Sequence, residues 1–165
     1  MLRLNKKCCF LTCTRFNEET WNENIDYREK LKYDGCIYGV PCPISETIPQ
    51  KAVLLVLEMN NTKPERIMGI GVIINRLIMK KKHNIYSNNN YNRYTYHNKI
   101  RIDRTKLQED YNEDLELLEK MVFKGKDHMK RGQGITKIPN KKLLIYENVL
   151  TRFANDLITK YEITL

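Results

Sequence analysis

A chain of 165 residues, 41% of them hydrophobic and 30% charged, is long enough to bury one core and polar enough for an aqueous setting. It holds no eighteen-residue apolar run, and the apolar part of its opening, MLRLNKKCCF, is too brief for a signal peptide, so a cytoplasmic, reducing compartment is expected. A net charge of +9 favours a polyanionic partner, nucleic acid ahead of an acidic membrane.

The cysteines fit that compartment. Cys8, Cys9, Cys13, Cys36 and Cys42 are odd in number, and none forms a Cys-x-x-Cys pair. They read as core thiols, with no metal and no cofactor expected. Cys8 and Cys9, adjacent on a strand, would face opposite ways. Heavy use of Lys, Asn, Ile and Tyr is typical of AT-rich genomes, such as those of parasites or large DNA viruses.

Residues 8–14, CCFLTCT, predict a first strand. Thr20-x-x-Glu23 has capping-box spacing, and Trp21, Ile25 and Arg28 follow at helical intervals until Asp34-Gly35 stops the helix. CIYGV, 36–40, is a short strand closed by Pro41 and Pro43. The segment 51–75 is two apolar runs, 52–57 and 67–74, around NNTKPER, which has turn chemistry in Asn60, Asn61 and Pro64. It predicts an antiparallel hairpin at the centre of a sheet. Gly69 and Gly71 share one face of the second strand, where a glycine marks a bulge or the close approach of another backbone, a helix or a ligand.

Beyond residue 75 the sequence turns basic and aromatic. Tyr86, Tyr91, Tyr94, Tyr96 and His97 are interleaved with Arg93 and asparagines. Such a loop stacks single-stranded bases, or else its tyrosines alternate into the core as a strand. KIRIDR, 99–104, reads as a half-buried strand. A helix over 107–122 puts Tyr111, Leu115, Leu118 and Val122 inward, and Glu109, Asp110, Glu113, Asp114, Glu116 and Glu119 on a solvated face. The loop FKGKDHMKRGQGITKIP sets Lys124, Lys126, Lys130, Arg131 and Lys137 around three glycines. That composition suits phosphate, though it is not a P-loop, and a merely solvated basic loop is the other reading. KKLLIYE, 141–147, predicts a last strand. Val149, Leu150, Phe153, Leu157 and Tyr161 predict an amphipathic C-terminal helix.

The order of elements, with Gly35-Cys36-Ile37-Tyr38 and Met68-Gly69-Ile70-Gly71, resembles the PUA-like superfamily, nearest to its YTH and EVE modified-base readers. The resemblance covers roughly residues 6–147. It implies an α/β (α+β) single domain with a curved mixed or antiparallel sheet flanked by helices. It also implies an RNA-binding domain over 1–147, with 148–165 as an added helix able to dock on a protein partner. Tyr38 stands where those readers carry a cage tryptophan.

The candidate base-binding residues are therefore Tyr38, Tyr91, Tyr94, Tyr96 and Trp21. The candidate phosphate-binding residues are Lys124, Lys126, Lys130, Arg131, Lys137 and Arg93. The expected function is capture of one modified nucleotide of RNA, single-stranded or at a 5′ end. A methylated 5′ cap, an adaptor role through 149–161 and a ribonuclease using His128 and Lys130 are the alternatives. No catalytic residue is assigned.

Overall fold

The computed structural model describes residues 2–4, 7–79 and 81–165. In chain order the elements are β1 (Leu2–Leu4), β2 (Lys7–Phe16), α1 (Glu18–Lys30), β3 (Cys36–Val40), β4 (Val53–Asn60) and β5 (Arg66–Ile74). A 3₁₀ turn (Asn89–Asn92), β6 (Tyr94–Asn98), β7 (Arg101–Asp103), α2 (Arg104–Phe123), β8 (Thr136–Lys137), α3 (Asn140–Ile145) and α4 (Glu147–Lys160) follow. They build a mixed α+β domain. The main sheet runs β1-β2-β4-β5-β7 with β8 added on β2, and β3 with β6 forms a separate two-stranded ribbon. The β2–β4 pairing is parallel, and the other pairings are antiparallel.

Two-residue alternation divides the core. Cys9, Leu11 and Cys13 of β2 and Val53, Leu55 and Leu57 of β4 face the layer of α2 and α4, where Leu118, Val122, Phe153 and Leu157 meet them. Phe10, Phe16, Leu54 and Val56 face the other way, toward Trp21 of α1 and the β3–β6 ribbon. Both faces of the sheet are covered, which is why β4 is apolar almost throughout. The predicted hairpin is present as β4–β5, at the centre of the sheet. Its turn uses an Asn side chain, Thr62 N–H donating to Asn60 Oδ1 at 2.9 Å. Asn60 and Asn61 do not take left-handed backbone there.

The two strand glycines admit neither a helix nor a ligand. A Cβ on Gly71 would lie 1.9 Å from the Tyr38 hydroxyl, and one on Gly69 would lie 2.7 Å from both Arg101 and Glu58 side-chain atoms. Glu58 sits where the β4–β5 register slips between Leu57 and Met59. The slip is a bulge that turns the carboxylate under the ribbon. There Tyr38 Oη donates to Glu58 Oε1 at 2.8 Å, and Arg101 grips both carboxylate oxygens at 2.7–3.1 Å. A buried carboxylate needs such a partner.

Other expectations need correction. Helix α1 begins earlier than expected, capped by Asn17, whose side chain accepts from Thr20 N–H at 2.8 Å while Thr20 returns a bond to the Asn17 backbone. It ends at Lys30, with Lys32 at φ 51°, and not at Asp34-Gly35. Residues 140–145 are helical instead of a strand. The edge of β2 is already paired by β8 and β1, so 141–147 cannot add a strand there. Helix α4 buries Leu150, Phe153, Ala154 and Leu157 in the main core, so 148–165 is part of the same domain and its apolar face is internal. The carboxylate face of α2 is only partly solvated: Asp114 is buried against Arg152, and Glu119 binds Arg104 and the Ile67 N–H. The side chain of Cys8 lies outside the described residues. Among the described residues no helix is long and apolar enough to cross a membrane, and no group of three His, Cys, Asp or Glu side chains is placed to hold a metal.

Candidate nucleic-acid interface

Parallel β2 and β4 end side by side, Phe16 opposite Asn60, and the Asn61 N–H donates to the Phe16 carbonyl at 2.8 Å. Helix α1 starts directly after β2. Ligands of α/β folds favour this place, where strand ends leave a crevice and a helix N-terminus offers a positive dipole. Here the crevice is a pocket of about 150 Å³, the size of a cavity that accepts one aromatic ring. Thr14, Phe16, Asn17 and Thr20 form its floor side, Gly39 to Pro41 one wall, and Tyr86 with Tyr91 another. Asn61, Gln133 and Gly134 close it, with Arg15 at the rim.

The tyrosine wall is held by one buried side chain. Asn92 Oδ1 accepts from the Ile85 and Tyr86 amides at 3.0 and 2.9 Å, and its Nδ2 donates to the Tyr86 carbonyl at 2.7 Å. Tyr91 then packs edge-on against Tyr86, centroids 6.2 Å apart. Gly39 lets this wall close, since a Cβ there would lie 2.5 Å from the Tyr91 carbonyl oxygen. Tyr86 is itself buried, its hydroxyl accepting from Asn24 Nδ2 at 3.1 Å. Desolvation raises its pKa above the ordinary tyrosine value, so it stays neutral.

One carbonyl of the basic loop binds both strand ends. Lys130 O accepts from Arg15 Nη1 at 3.3 Å and from Asn61 Nδ2 at 3.1 Å. That bond also fixes the Asn61 amide, because only its NH₂ end can face a carbonyl. Its Oδ1 is left buried without a hydrogen-bond partner, an uncommon condition for a polar atom.

The candidate residues from sequence separate into groups. Tyr91 lines the pocket. Tyr38 does not: it is 1% exposed, roofs Gly71 and is committed to Glu58, with burial and the Glu58 carboxylate pushing its pKa far up. Trp21 is buried with its edge on Phe16, and the Arg28 and Arg101 guanidinium carbons lie 5.8 and 5.5 Å from its ring centre. Tyr96 is buried, its hydroxyl accepting from the Ile44 amide at 3.1 Å. Tyr94 and Arg93 line a different concavity.

Of the basic residues, Lys124, Lys126 and Arg131 are exposed. Lys130 is paired with Glu65 at 2.9 Å, and Lys137 lies over the Phe10 ring at 5.4 Å. His128 accepts from the Lys130 amide at 3.3 Å and is not in the pocket wall. Asn17, Thr20, Asn61 and Gln133 escaped sequence reasoning. Cap and turn signals explain Asn17 and Asn61 locally, and only the fold brings them to one site.

No family model matches the chain, and neither a curated protein nor a solved structure matches it.

Proposed function

We propose that the protein binds single-stranded RNA and holds one base, a methylated one being the favoured ligand, in the pocket between Phe16, Tyr86 and Tyr91. The observation that carries this reading is the meeting, in about 150 Å³, of aromatic walls with neutral amides beside an exposed arginine. Rings supply stacking of roughly 1–3 kcal/mol per base, and amides read base edges. Phosphates would stay outside, on Arg15, Lys124 and Arg131. A cationic methylated cap is less well matched, since no carboxylate lines the pocket to pair with it.

The test is calorimetric titration with methylated and unmethylated nucleosides, cap analogues and short RNA at several salt concentrations. Affinity for RNA should fall with log salt by about 0.7 per phosphate neutralised. Tyr91→Ala should weaken base binding about ten- to hundredfold, with the melting temperature little changed. A flat salt dependence, or full affinity in the Tyr91→Ala variant, would remove the reading.

A further inference from the structure

The loop that walls the pocket has a second side. Its 3₁₀ turn presents Tyr91 to the pocket, while Asn89, Arg93 and Tyr94 open onto a groove of about 450 Å³. Ile78, Met79, Lys81 and Lys82 complete this groove, and the Ile78 amide, donating to the Thr95 carbonyl at 3.2 Å, anchors that segment to β6.

Three observations set the groove apart from an ordinary basic patch. No carboxylate lines it, although it holds three cations. Among the described residues Lys81, Lys82 and Arg93 form no ion pair, whereas Lys130 is paired to Glu65 and Lys141 to Asp127. Cations lining a concave wall without counter-charge concentrate an anion and need give up no partner to bind it. The groove also carries apolar surface: Met79, 82% exposed, and Tyr94 both line it. A side chain so apolar and so exposed at the rim of a cationic groove suits a ligand that alternates charge with flat rings.

Distance links the two concavities. Tyr91 and Arg93 are two residues apart, so their Cα atoms are separated by no more than about 7.6 Å. One extended strand can touch both.

We infer that the groove is a second nucleotide subsite, taking the phosphodiester and base next to the one in the pocket. The preferred ligand is then a single-stranded oligonucleotide, not a free nucleoside or a duplex. This rests on the pocket being a base site. Lys81, Lys82 and Arg93 hold the phosphates, and Tyr94 with Met79 supports the neighbouring base.

The experiment titrates the whole protein with oligoadenylates of one to five nucleotides. It compares the parent with a Lys81→Gln, Lys82→Gln, Arg93→Gln triple variant and with Tyr91→Ala. In the parent, affinity should climb at least tenfold between one and three nucleotides. In the triple variant that climb should disappear, with mononucleotide affinity and melting temperature kept. Its salt slope should drop by roughly 1.4–2, on the basis of about 0.7 per lost phosphate contact. If the mononucleotide binds but the climb survives in the triple variant, the groove is a solvated patch and the inference is wrong. If Tyr91→Ala binds the mononucleotide like the parent while the triple variant loses the climb, the groove stands and the pocket reading fails. If no oligomer binds, both fall.

Discussion

Replacing Gly71 by alanine adds one methyl group at a crowded point of the sheet. The new Cβ would lie 1.9 Å from Tyr38 Oη and 2.8 Å from both Tyr38 Cζ and Cys36 Cβ. Ordinary carbon contacts lie at about 3.5–4.0 Å. The backbone has little freedom to yield, because Gly71 is paired with Val56 on one side and Arg101 on the other. Tyr38 is fully buried, and its hydroxyl is bonded to Glu58. Overpacking costs about 1–3 kcal/mol, and displacing the hydroxyl forfeits a bond to a charged group, about 1.5–3 kcal/mol. The expected loss is therefore about 3–5 kcal/mol, a fall in melting temperature of roughly 6–20 °C for a domain of this size.

Tyr38→Phe alone should cost about 1–3 kcal/mol, since Arg101 still holds Glu58. In that background the 1.9 Å contact is gone, although the ring carbon remains close. Gly71→Ala should then cost at least about 1 kcal/mol less than in the parent, a coupling well outside additivity. Urea denaturation, with midpoints compared at constant slope, measures all four corners of the cycle. Simple additivity within about 0.5 kcal/mol, or a Gly71→Ala variant as stable as the parent, would refute the packing argument. Tyr38→Phe should leave nucleotide binding unchanged, because the ring is outside the pocket.

Three further outcomes follow from the geometry. His83, bonded through Nδ1 to the Tyr27 hydroxyl at 2.8 Å and 5.8 Å from the His97 ring, has its pKa lowered by burial, by His97 and by Lys81, and burial lowers that of His97. The unfolded chain thus binds more protons just below pH 6.5, so stability should fall as pH drops from about 7 through that range. A melting temperature that is flat or rises from pH 7 to 5, or one that falls as steeply in a His83→Gln variant, would contradict this. Arg101→Ala strands the Glu58 carboxylate and should cost about 3–5 kcal/mol, part of it recovered by adding Glu58→Gln; equal stability of the single and double variants in urea would argue against the pair. Burial pushes the thiols of Cys13 and Cys36 up to about 12, whereas Cys42 is exposed. A thiol reagent followed by mass spectrometry should mark Cys42 in the native protein and reach Cys13 and Cys36 only on unfolding.

Much of the fold was legible because it rests on local periodicity. The runs 52–57 and 67–74 with a polar turn between them can bury themselves only as paired strands. The spacing of Leu150, Phe153 and Leu157 likewise gave a helix without reference to anything else. What these elements pack against is not local. KKLLIYE carries a strand's composition, yet the β2 edge is already paired by β8 and β1, and residues 140–145 form a helix. Tyr38 looks the same in sequence whether it walls a pocket or fills a core. Its fate was decided by Gly71, thirty-three residues later, which left room for a hydroxyl, and by Glu58, which needed a donor. The candidate pocket shows the same division. Tyr91 was visible as one of a run of aromatics, but Thr20 was read only as a helix cap, Asn61 only as part of a turn, and Asn17 was not singled out. They meet because β2 and β4 are parallel and end together, and the Lys130 carbonyl then turns the Asn61 amide so that its oxygen is left without a partner. Residues from five separate segments line one pocket only when the chain has folded, because each satisfies a local rule by itself and their meeting is set by the tertiary structure.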